Sequence, residues 1–157
     1  LDVCQPPYNI FERDIETDVL PYCQEKGIAT LTYGALCRGL LTGKMRIDTV
    51  FTGDDLRLVD PKFKKPRYEQ YLQAVNALQK LAQTRCRKDI IHLAVRFILD
   101  KGISVALWGG RRPDQMSPLN EVFGWNLTDE DFQAIDRILS EDITDPVGPE
   151  FMAPPER

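Results

Sequence analysis

The sequence predicts an α/β fold built on a parallel sheet, and three observations carry the prediction. Short apolar runs alternate with segments of helical period. The first two strands are separated by one helix, the spacing of a βαβ unit. The strand candidates are rich in apolar and β-branched residues, as buried parallel strands are. Alternation of this kind implies right-handed crossovers.

Each element follows in order. Leu1 to Gln5 reads as the end of a strand that stops at Pro6-Pro7, because proline has no N–H for a ladder. From Ile15 to Lys26, the positions Ile15, Val19, Leu20, Tyr22 and Cys23 recur at helical spacing, and Gly27 follows as a C-terminal cap. Ile28 to Tyr33 is a second strand. Leu41 to Pro66 has no long periodic segment, and a loop of that length is either functional or evidence against the assignment. Tyr68 to Thr84 is helical through Tyr71, Leu72, Val75, Leu78 and Leu81. Asp89 opens another helix with a wide apolar stripe, ending before Gly102. Ile103 to Trp108 is a third strand, apolar enough to be covered on both faces. Pro113 suits the first turn of a short helix. Thr128 starts a last amphipathic helix carrying Phe132, Ile135, Ile138 and Leu139. The tail after Asp145 reads as extended.

The 157 residues are 43% hydrophobic, with a net charge of −4. That suffices for a core, and without any basic block it offers no footprint for nucleic acid. The four cysteines, Cys4, Cys23, Cys37 and Cys86, show no metal-ligand spacing and fit reduced thiols in the cytoplasm. No metal site and no membrane span is expected. The single histidine, His92, lies on an apolar helical stripe and reads as structural. No GxSxG, HExxH, P-loop or GxGxxG occurs, so no catalytic residue is nominated. Three parallel strands make a poor domain alone, and Leu1 already falls inside a strand. We therefore expect a fragment, or a chain that pairs with another.

In parallel α/β folds, ligands meet the C-terminal ends of the strands. Gln5, at the first end, either pairs its amide with a carboxamide or bonds the neighbouring loop. Tyr33 is either core or a stacking platform. Gly34 and Gly39 flank a turn whose backbone N–H groups suit a phosphate. Gly109-Gly110-Arg111-Arg112, before a proline-started helix, combines free backbone with two guanidinium groups, which suits an anion. The competing reading is an exposed basic turn paired with Asp114 or Glu121.

Together, VCQPPYNIFER (Val3 to Arg13), YGALCRGLLTGK (Tyr33 to Lys44) and GGRRPDQ (Gly109 to Gln115) resemble the aldo-keto reductases in identity, order and spacing. The resemblance covers nearly the whole chain. It implies the C-terminal part of a TIM (β/α)8 barrel, with residues 1–157 one segment of a single barrel domain running from about the sixth strand onward. It also implies NADPH as cofactor and a small-molecule carbonyl substrate, an aldehyde or ketone. By resemblance, Gln5 bonds the nicotinamide carboxamide and Tyr33 stacks on its ring. Gly34, Leu36, Arg38 and Gly39 hold the pyrophosphate, and Lys44 begins a cofactor-covering loop. Gly109, Arg111 and Gln115 match the adenosine-phosphate segment, with Arg111 partnering the 2′-phosphate. The sequence departs from the family at Trp108, where proline is usual, and at Pro118-Leu119, where a Glu-Asn pair grips the adenine. The family's catalytic Asp, Tyr, Lys and His belong to earlier strands, so the chain alone is expected to be inactive and to need the N-terminal part of the barrel or a second chain. In a complete enzyme, hydride passes to the carbonyl carbon while the Tyr protonates the oxygen. A non-catalytic protein on the same scaffold, like the potassium-channel β subunits, is the alternative implication.

Overall fold

The computed structural model describes residues 1–110 and 112–148. Its strands are β1 (Val3–Cys4), β2 (Ala29–Thr32) and β3 (Val105–Ala106); its α-helices are α1 (Val19–Lys26), α2 (Arg67–Leu81), α3 (Ile90–Asp100) and α4 (Asp129–Asp142). The sheet runs β1-β2-β3, all parallel, with Val3 beside Ala29, Cys4 beside Thr30, Leu31 beside Val105 and Thr32 beside Ala106. A strand–helix–strand order with parallel pairing is the repeating unit of a β/α barrel.

The predicted first helix divides in two. Thr17 Oγ1 donates to the Asp14 carbonyl at 2.9 Å, closing a short 3-10 turn at Asp14–Glu16, and the Asp18 side chain then accepts from Val19 N to start α1. Side-chain bonds of this type compete with the helical ladder, which explains the break. Gly27 ends α1 in the left-handed region, at φ 64°, as predicted. The helix predicted to Thr84 is α-helical only to Leu81, and continues as a π turn over Ala82–Cys86. Thr128 caps α4 through reciprocal bonds with Asp131.

Two expectations are corrected. Pro6-Pro7 does not end the pairing of the first strand. Tyr33 N donates to the Pro6 carbonyl at 3.1 Å and Tyr8 N donates to the Tyr33 carbonyl at 3.1 Å, so Pro7 sits in a parallel bridge that never calls on its missing N–H. The third strand is not covered on both faces: Val105 is 42% exposed. The register explains why. Residues two apart share a face, so Val3, Leu31 and Val105 lie together on one side, while Thr30 and Thr32 lie on the other. The Thr side is buried, and Val3 on the first side is 45% exposed.

The core packs behind the buried side. It joins Tyr8 and Ile10 after β1, Leu40 and Leu41 after β2, Tyr71 and Leu78 of α2, Leu93, Phe97 and Ile98 of α3, and Ile135 of α4. The long segment from Leu41 to Pro66 is organised by two 3-10 turns, Leu56–Leu58 and Pro61–Phe63, started by the carboxylates of Asp55 and Asp60.

Candidate functional site

The C-terminal ends of β1 and β2 bring most of the predicted site residues together. Gln5 leaves β1 on the same face as Val3 and is exposed. Half-buried Tyr33 leaves β2 on that face too, one step along the ladder, its amide bonded to Pro6. Gly34 follows at φ 75°, and its carbonyl accepts from Asn9 Nδ2 at 3.0 Å. The turn beyond it is unusual. Leu36 lies near the bridge region (φ −102°, ψ 14°), and Cys37 (φ 45°), Arg38 (φ 51°) and Gly39 (φ 94°) are all left-handed. A right-handed residue followed by left-handed ones is the backbone pattern of an anion nest, but here Cys37 N donates to the Gly34 carbonyl at 2.8 Å and Gly39 N to the Leu36 carbonyl at 2.9 Å, so these two amides serve the turn itself. Left-handed conformation costs roughly 1–2 kcal/mol for a residue with a Cβ, so Cys37 and Arg38 need support from their surroundings. Gly39, at φ 94°, suits this conformation, and a Cβ there would stand 3.1 Å from Met45 Cε, the movable end of a side chain that would have to shift slightly.

The support is a buried polar chain that sequence reasoning missed. Asn9 Nδ2 also donates to Glu12 Oε2 at 2.7 Å. Glu12 Oε1 lies 2.7 Å from Lys62 Nζ, and Lys62 Nζ lies 3.3 Å from Asp60 Oδ1. Asp60 Oδ2 accepts from Arg38 Nε at 3.0 Å. Asn9, Asp60 and Lys62 are fully buried, and Glu12 nearly so. Burial drives the Lys62 ammonium towards neutrality, but the neighbouring Cys37, Glu12 and Asp60 groups outweigh it and hold the proton above the ordinary lysine range. Burial pushes the Cys37 thiol well up, which favours its protonated form. The one sequence signal for this chain was the polar content of the Leu41 to Pro66 loop.

The end of β3 adjoins that of β2, with Leu107 N donating to the Thr32 carbonyl at 2.8 Å. Gly109 is exposed, with open space where a Cβ would stand. Arg111 lies outside the described residues. Arg112 pairs with Asp114 through Nε at 3.0 Å and its terminal nitrogen at 3.1 Å, while Glu121 pairs with Lys88. The paired reading therefore holds for Arg112. Gln115 is half-buried and caps the Pro113–Val122 turn, its Oε1 accepting from Arg112 N at 3.1 Å. The hydrogen bond from Arg112 lowers the Asp114 carboxyl, with exposed Lys44 a lesser contributor. Pro118 is half-buried, and Leu119 and Asn120 are exposed.

His92 is 7% exposed, its Nδ1 accepting from Asp89 N at 3.1 Å, a helix-capping role. Among the described residues, no group of His, Cys, Asp or Glu side chains is placed to hold a metal, and no helix is long and apolar enough to cross a membrane.

A strand-end amide, an aromatic and a left-handed turn carrying a cation thus lie at the C-terminal ends of adjacent strands. Comparison with known proteins identifies the frame. The chain is 60% identical over 158 residues to the aldo-keto reductase YhdN of Bacillus subtilis, covering 100% of this chain and 48% of that protein. It is 30% identical over 132 residues to the NADH-specific methylglyoxal reductase of Escherichia coli, covering 83% of this chain and 40% of that one. The glycerol dehydrogenase AKR11B4 from Gluconobacter oxydans superposes with a TM-score of 0.88 at 53% identity, over 98% of this chain and 46% of that structure. The chain thus spans about half the length of the relatives it matches, and its three strands are part of a (β/α)8 barrel. With the model of the aldo/keto reductase family matching residues 1–140, the chain belongs to that family.

Proposed function

We propose that this chain is the cofactor-holding C-terminal part of an NADPH-dependent aldo/keto reductase that converts aldehydes or ketones to alcohols. The observation that carries the reading is the juxtaposition at the strand ends. Gln5 and Tyr33 share the open face of the sheet, held in register by the Tyr33–Pro6 hydrogen bond, and the left-handed turn with Arg38 follows directly. In this reading Gln5 orients the nicotinamide through its carboxamide. Tyr33 backs the ring. Gly34, Leu36, Arg38 and Gly39 receive the pyrophosphate, and Lys44 leads into the segment that covers it. Gly109, Arg111 and Gln115 receive the adenosine phosphate. When bound, the reduced nicotinamide supplies the hydride for the carbonyl carbon. The residues described act by binding and orienting; proton donation to the carbonyl oxygen falls to the preceding part of the barrel, which also covers the open face carrying Val3, Leu31 and Val105. The setting is cytoplasmic.

The relative named as NADH-specific makes cofactor choice the point to measure. In the full protein, fluorescence titration should give tighter binding of NADPH than NADH. Arg111→Ala should weaken NADPH by about tenfold or more, as loss of a charge-assisted contact does, and leave NADH nearly unchanged. Equal losses for the two would remove the 2′-phosphate assignment. A wild-type protein that binds neither dinucleotide would remove the cofactor reading.

A further inference from the structure

We propose that Asp60 and Lys62, on the loop after β2, are positioning residues of the cofactor site: with Glu12 they form a buried ionic chain that holds Arg38 where the dinucleotide's pyrophosphate would lie. The inference rests on the reading of the Arg38 turn given above, and adds to it the residues through which the turn is held.

Burying three charged groups, with a fourth largely covered, is costly, and a hydrophobic cluster of similar volume would often serve stability as well or better. Stability therefore does not account for a chain with Lys62 and Asp60 fully buried. Its geometry points instead to aim. Asp60 divides its two oxygens, Oδ2 taking Arg38 Nε at 3.0 Å and Oδ1 facing Lys62 Nζ at 3.3 Å and accepting from Lys62 N at 2.9 Å. Lys62 passes the constraint to Glu12 at 2.7 Å, Glu12 to Asn9 at 2.7 Å, and Asn9 to the Gly34 carbonyl at 3.0 Å. The chain thus begins and ends on one turn, bonding Gly34 at its start and Arg38 beyond its middle. Arg38 is a left-handed residue that pays a conformational cost, and such residues persist where the surroundings over-determine them. Its side chain is only 17% exposed, so its direction is set from the interior. The segment from Leu41 to Pro66 is thus tied to the turn from the interior, through Asp60.

A double-mutant cycle on cofactor affinity tests this in the full protein, with NADPH and NADH as probes and circular dichroism to verify folding. Arg38→Ala should weaken both dinucleotides about tenfold, since both carry the pyrophosphate. Asp60→Asn should weaken both about fivefold, yet add less than twofold in the Arg38→Ala background. A purely structural role would lower the thermal midpoint without that non-additivity in affinity. If Asp60→Asn does not fold, Asp60→Asn/Lys62→Met, which removes one charge of each sign, is held to the same criteria. If Arg38→Ala leaves affinity unchanged, the reading of the turn fails and the inference with it. If Arg38→Ala weakens binding while Asp60→Asn has no effect, or an effect that multiplies fully in the double variant, the inference alone is overturned.

Discussion

Arg38 donates from Nε to Asp60 Oδ2 at 3.0 Å, joining a strand-end turn to a loop 22 residues away. The bond ties the energetics of the loop to those of the site. Removing the cation at the centre of the buried chain should be far more damaging than removing a matched pair. Lys62→Met leaves Glu12 and Asp60 buried with one cation fewer, and should cost about 3–5 kcal/mol in urea denaturation. Glu12→Gln/Lys62→Met should cost less than half as much; equal losses would show that packing, not charge, dominates there.

The only histidine reports on its own burial. Burial pushes the His92 imidazole below its ordinary value of 6.5. Between the lowered folded value and 6.5, the unfolded chain binds more protons than the folded one. The contribution of His92 to stability is therefore complete above 6.5 and is lost as pH falls through the folded value. Proton NMR of the imidazole resonances should give a midpoint under 6.5, and a midpoint at or above it would contradict the buried placement.

The Thr128 cap should be measurable by itself. Its hydroxyl takes Asp131 N at 3.3 Å, and Asp131 returns the bond to Thr128 N at 3.0 Å. Thr128→Ala should cost about 1 kcal/mol. Burial raises the Asp131 carboxyl, but hydrogen bonds from Thr128 and Arg85 outweigh it, so its net shift is downward. The folded group thus contributes stability above the ordinary carboxylate range and loses it as pH falls through the lowered value. Asp131→Asn should flatten that acid limb of the stability profile.

Two glycines should separate conformation from crowding. Gly27 is at φ 64° with nothing near its Cβ position, whereas Gly39 is at φ 94° with Met45 Cε 3.1 Å away. Gly27→Ala should cost roughly 1 kcal/mol, and Gly39→Ala distinctly more. Denaturation midpoints in the same order would bear this out, and equal midpoints would not.

Much of the frame was legible because its signals are local. Gly27 marks a helix end by its own φ, and Thr128 marks a helix start through a partner three residues on. The strand ends were legible too, so Gln5, Tyr33 and the glycines could be nominated before their geometry was known. The buried chain was not, because Glu12 and Lys62 are fifty residues apart and each looks like an ordinary surface charge until the fold buries them. Pro6-Pro7 misled for a related reason: whether a proline breaks a ladder depends on which backbone groups its partner uses, and Tyr33 uses those of Pro6 and Tyr8. The apolar run of β3 suggested cover on both sides, yet hydrophobicity records what a face is suited to meet, not what the chain itself provides.

The charges of Glu12, Asp60, Lys62 and Arg38 sum to zero, and three of the four side chains are sealed from water. Dissolved ions screen exposed charge efficiently and buried pairs poorly. Under the proposed reading, raising ionic strength should therefore loosen the hold on a phosphate-bearing ligand while leaving the buried chain beneath it unchanged, so that salt becomes a dial for capture alone.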